Sequence, residues 1–191
     1  ILFHNIFVRH LINKSIGEKM EITLKNVKHY ESMSEETFCF EASLYADGKR
    51  VGRVSNRGTG GCHDYDFDMK TERELDEWCK ANLPKWTFEA ETSFGDEEQD
   101  TDLEMHISNL VTDFLDNKHL KNLLNKSVIV MDDNCEEGEV YQWKFSKYKG
   151  RAKTEVIGGV TNAIAKNEKM VNPVVLNSLS LDDAKKVYFR K

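Results

Sequence analysis

The chain has 191 residues, 39% hydrophobic and 31% charged, with a formal net charge of −6. That length suits one domain or two small ones. No apolar run approaches the ~20 residues that span a bilayer, and the net charge disfavours nucleic acid and anionic membranes as partners of the bulk chain.

Residues 1–19 start at Ile1, and polar positions such as His4, Asn5, Arg9 and His10 break the order of a signal peptide. A regular strand pattern begins only after Met20, so residues 1–19 are expected to be a non-native or flexible extension. Residues 20–29 read as a strand, with Ile22, Leu24 and Val27 among polar neighbours. Residues 37–46 alternate, with Phe38, Phe40, Ala42 and Leu44 on one face. Asp47-Gly48 is a two-residue hairpin signal, and Lys49–Asn56 is the return strand. A glycine-rich loop, Gly58–Asp68, follows. Thr71 and Glu74 suggest a capping box opening a helix, with Leu75, Trp78 and Cys79 as its buried stripe. Pro84 closes the segment, and the acidic stretch 91–102 reads as an exposed linker.

The strongest helical periodicity runs over 103–124 through Leu103, Ile107, Leu110, Val111, Phe114 and Leu115 to Leu120, Leu123 and Leu124. It predicts the longest helix, with Phe114 in the core. Ser127–Met131 is a short apolar strand, 132–138 a turn and Val140–Phe145 the second arm of a hairpin. Residues 154–167 form a helix weakened by Gly158 and Gly159. Val174-Val175-Leu176 is a short strand, and Ser180 with Asp183 caps a terminal helix with Ala184, Val187 and Tyr188 inward. The expected class is α+β: an antiparallel β-meander with a helix over 20–90, then a long helix, a hairpin, a short strand and a terminal helix over 103–191.

The hairpin Phe38–Asn56, the Gly-Gly loop ending in Tyr65, and the run Leu176–Ala184 followed by Tyr188 resemble a family of small, uncharacterised phage and bacterial cytosolic proteins. The resemblance covers most of 20–191 and carries no catalytic signature. It implies a bacterial or phage origin and a cytoplasmic location. The four cysteines, Cys39, Cys62, Cys79 and Cys135, form no C-x-x-C pair and read as free thiols of a reducing compartment.

The Gly58–Asp68 loop is the first candidate site. Gly60 and Gly61 permit positive φ and close approach of backbone to a ligand. Cys62, His63, Asp64 and Asp66 crowd thiol, imidazole and carboxylates behind them. His63, Asp66 and Asp68 could supply ligands to zinc or manganese. The plainer alternative is a glycine turn leading into a polar edge strand with Tyr65 and Phe67 buried. Cys62 as a nucleophile is disfavoured because adjacent residues of a strand face opposite sides, which leaves His63 badly placed as its base. On the surface reading, His63→Gln and Asp66→Asn would each shift stability by less than about 1 kcal/mol.

The second candidate is the basic-aromatic stretch Lys144–Lys153. Trp143 and Tyr148 could stack on bases while Lys144, Lys147, Lys149 and Arg151 neutralise phosphates. Core aromatics flanked by solvated lysines fit the same pattern. With no catalytic set and no cofactor fingerprint in the sequence, the expected function is a binding or regulatory protein acting on a protein partner, with no cofactor. A metal-dependent enzyme using Gly58–Asp68 and a nucleic-acid module using Lys144–Lys153 are the alternatives.

Overall fold

A computed structural model describes residues 20–88, 97–136 and 138–190, so the expectation for residues 1–19 lies outside the described residues. The chain divides into two compact units, 1–112 and 113–191. The division falls inside the long helix, not at 91–102.

The first unit holds a four-stranded antiparallel sheet in the order β1-β2-β3-β4, formed by Ile22–His29, Phe40–Ala46, Lys49–Asn56 and Asp64–Asp66. The meander therefore has one strand more than the three expected, because the end of the glycine loop pairs with β3. The hairpin is as read: Asp47 and Gly48 both take positive φ, 49° and 74°, as a two-residue turn matched to the strand twist requires. Along β2, Phe40, Ala42, Leu44 and Ala46 are buried, which pins the register, since a slip of one residue would turn all four to solvent. Phe38 does not join them and is 43% exposed. In β1 the pairing shifts between Lys25 and Lys28, and Asn26 has φ 55°, the mark of a bulge.

Helix α1, Met69–Asn82, starts two residues before the expected cap. Asp68 is the true N-cap: its carboxylate accepts the Thr71 N–H at 3.0 Å and the Thr71 hydroxyl at 2.8 Å, the favoured cap chemistry. Leu75 and Cys79 are buried as expected, and burial pushes the Cys79 thiol up to about 12. Part of the expected linker is instead structured. Glu97–Gln99 (β6) pairs antiparallel with Trp86–Phe88 (β5).

Helix α2, Leu103–Lys126, is the longest at 24 residues. Leu103, Ile107, Val111 and Leu120 are fully buried, while Phe114 is only half-buried. The even mixture of apolar and polar residues around its later turns explains why Phe114 is not singled out for the core.

In the second unit, β7 (Ser127–Met131) lies between β8 (Tyr141–Lys144) and β9 (Val174–Val175), antiparallel to both. All five residues of β7 are buried, so both its faces are covered. Ile129 and Met131 pack with Leu120, Leu176 and Ala184. Val128 and Val130 pack with Val156, Val160 and Ile164 of α3, Lys153–Ile164. The terminal helix α4, Leu181–Tyr188, is capped by Ser180, whose hydroxyl accepts the Asp183 N–H. Among the described residues no helix is long and apolar enough to cross a membrane.

Candidate functional site

The glycine loop is built around Gly58. Its carbonyl accepts three successive backbone N–H groups, from Glu35 at 2.8 Å, Glu36 at 2.9 Å and Thr37 at 3.3 Å. Its own N–H donates to Asn56 Oδ1 at 2.8 Å. The same Oδ1 accepts the Thr37 hydroxyl at 2.8 Å, and Asn56 Nδ2 donates to the Gly61 carbonyl at 3.1 Å. Buried Asn56 thus ties the 34–37 segment to the glycine loop, since buried side-chain amides are held in place by their partners. Gly60 has φ 82°, and the Glu36 carboxylate lies where a β-carbon would stand.

Alternation in β4 sorts the residues that follow. Asp64 and Asp66 are exposed, and Tyr65 is half-buried. The His63 side chain is only 6% exposed. Cys62 faces solvent, away from it. His63, Asp66 and Asp68 are therefore not brought together: His63 points in, Asp66 points out, and Asp68 is committed to capping α1. The zinc or manganese reading is corrected on this ground, and among the described residues no group of three or more His, Cys, Asp or Glu side chains is placed to hold a metal ion. The surface expectation for His63 is corrected as well, while Asp66 remains an exposed side chain.

What the loop meets was not legible in its own sequence. The first turns of α2 lie against it. Glu104 receives the His63 backbone N–H on both oxygens, at 2.9 and 3.0 Å, and the Tyr65 hydroxyl at 3.0 Å. Ser108, one turn further, has its hydroxyl 3.2 Å from His63 Nε2. The spacing of four that puts Glu104 and Ser108 on one helical face was the available signal. His106 faces the Ile22 backbone instead, and His119 meets the Tyr188 hydroxyl within the second unit.

Ser108, His63 and Glu104 have the residue types of a hydrolytic triad, and Glu104 Oε1 stands 3.2 Å from His63 Nδ1. A second neighbour competes for that nitrogen. Asn56 Nδ2, the donating end because the Gly58 N–H sits on Oδ1, also lies 3.2 Å from Nδ1. The carboxylate asks for a proton on Nδ1 and the amide asks for a lone pair there, so Nδ1 is not given over to Glu104 as the base of a triad requires. The Ser108 N–H, inside a helix, is not free to form an oxyanion hole either.

Burial lowers the His63 pKa below its ordinary 6.5, against the opposing pull of Glu104. The ring is therefore neutral in the fold near pH 7. The unfolded chain takes up the proton first on acidification, so this contribution to stability is complete above pH 6.5 and is lost as pH falls through the folded value. His106 is lowered by burial too and acts in the same direction. In urea titrations repeated from pH 7.5 to 5, His63→Gln is expected to flatten part of the acid-side loss of stability. An unchanged slope would place His63 in water.

The side chains enclose a cavity of about 310 Å³. It is lined by Phe38, Phe40 and Val111, by the less exposed polar groups His63, Glu104 and Ser108, which are taken as its floor, and by the exposed Glu35 and Glu36, which are taken as its mouth. The second candidate stretch looks different. Trp143, Phe145 and Tyr148 pack against the Val128–Val160 cluster of the second unit, while Lys144, Lys147, Lys149 and Arg151 are exposed. The rings fill a core edge, which leaves less of them to stack on bases. Comparison with family models, curated proteins and solved structures gave no match to this chain, so the site is read from its geometry.

Proposed function

We propose that the protein is a non-catalytic binding module that seats one side chain of a protein partner in the His63–Glu104 cavity. The observation that carries this reading is the cavity itself: concave, lined by aromatic and aliphatic groups, with a few fixed polar groups converging at its floor. Its volume sits at the lower limit of about 300 Å³ for ligand sites, which fits a single side chain better than a nucleotide-sized cofactor. Support also comes from the floor. Glu104, His63 and Asn56 are held by one another and by backbone groups, so little ordering remains to be done on binding.

The test is to fill the cavity. Ser108→Phe places a ring where the occupant would sit and leaves the backbone network of Gly58 intact. Peptides selected from a random library on the natural protein are expected to bind this variant at least tenfold more weakly, with an unchanged near-UV circular dichroism spectrum. Equal binding to both proteins would show that partners use another surface.

A further inference from the structure

The cavity's lining divides sharply by charge. Glu35 and Glu36 stand at the mouth and Glu104 at the floor, and no lysine or arginine is among the lining residues. One strand away the pattern is the reverse: Glu41 is paired with Lys28 at 2.8 Å and with Arg53. Among the described residues the carboxylates of Glu35 and Glu36 have no such cationic partner, and both side chains are exposed. Glu104 differs from them in being held. Its oxygens take the His63 N–H and the Tyr65 hydroxyl, so the negative charge at the floor is fixed in direction before anything enters.

The apolar part of the lining completes the description. Phe38 is 43% exposed although it adjoins a buried strand, and Phe40 lies edge-on to His63 with ring centres 5.1 Å apart. An aromatic wall beside carboxylates suits a group with a long apolar stem and a positive head, because the stem packs on the rings while the head meets the acids.

We infer that the occupant of this cavity is a lysine or arginine side chain presented by a basic segment of a partner protein. The inference rests on the binding reading above and adds the chemistry of the ligand. The neutral state of His63 agrees with it, since a cationic imidazole at the floor would oppose a second cation.

The experiment uses the full chain, labelled with nitrogen-15, titrated with short blocked peptides that differ at one central residue: arginine, lysine, citrulline or leucine. Citrulline keeps the shape of arginine and removes its charge. The arginine and lysine peptides are expected to move the amide signals of residues 35–38, 60–63 and 104–111 saturably, with affinity falling as salt rises. The citrulline peptide is expected to bind at least tenfold more weakly. Glu36→Gln and Phe38→Ala, both at exposed positions, should each weaken arginine binding several-fold. If citrulline or leucine binds as well as arginine, the cationic assignment is wrong and the cavity reading stands. If none of the four peptides moves these signals, both readings fail.

Discussion

Gly58→Ala is expected to remove about 3–5 kcal/mol of stability, among the largest losses a single methyl group can cause. Two independent costs add. The residue has φ 85°, a conformation that costs an L-residue roughly 1–2 kcal/mol. The added β-carbon would also run into the Met33 carbonyl oxygen and come within 2.8 Å of Cys39 Cβ, and backbone cannot give way as a flexible side chain does. Any shift that relieves the clash breaks the three N–H contacts on the Gly58 carbonyl. Gly61→Ala is the control. Its φ is 88°, but a β-carbon there meets nothing within 4 Å, so only the conformational cost of roughly 1–2 kcal/mol remains. Urea denaturation of the two variants separates the terms. Equal losses would mean that the clash is relieved without consequence.

Asn177→Asp should have the next largest effect, a loss of about 2–4 kcal/mol. The Asn177 amide joins two elements of the second unit. Its Oδ1 accepts the Ile129 N–H at 2.8 Å, and its Nδ2 donates to the Leu124 and Ser127 carbonyls at 3.0 and 2.9 Å. Those carbonyls lie where α2 ends and β7 begins, and helix ends leave such groups without intrahelical partners. An aspartate keeps the acceptor and turns the donor into a second acceptor facing two carbonyl oxygens. Ser127 is fully buried, so water cannot readily substitute. Hydrogen exchange of the Ile129 amide is the direct measure. Protection equal to that of the natural protein would show that the amide is not holding this junction.

How much of this was legible depends on the range of the interaction. The Asp47-Gly48 hairpin, the Ser180 cap and the long helix rest on neighbours in sequence, and the residues that form them name them. Alternation along β2 carried its buried face but not the fate of Phe38, which lies just before the strand and turns out to the cavity. The α1 cap was misplaced because Thr71 and Glu74 fit the capping pattern while Asp68 uses Thr71 as its partner. The glycine loop was recognisable as a place of special backbone. Its chemistry was not, since half of the site lies on Glu104 and Ser108, some forty residues later. The metal reading failed for a related reason. His63, Asp66 and Asp68 are close along the chain, yet strand alternation and a helix cap send them in three directions. Gly58 was read only as the first residue of the glycine loop, and its three incoming N–H groups make it the loop's anchor.

The bulge at Asn26 bears on how the protein behaves when crowded. β1 and β4 are the two outer strands of the sheet, and an outer strand exposes a row of unpaired backbone groups that can zip onto another copy. β1 breaks that row in the middle, where Asn26 reverses its φ and the pairing steps out of register. β4 spans only three residues, and two of them are outward aspartates. Each side thus carries its own guard against fibril growth. A chain in which β1 is straightened, by replacing Asn26 with a β-branched residue that cannot hold the reversed φ, should elongate thioflavin-positive seeds that the natural sequence leaves inert.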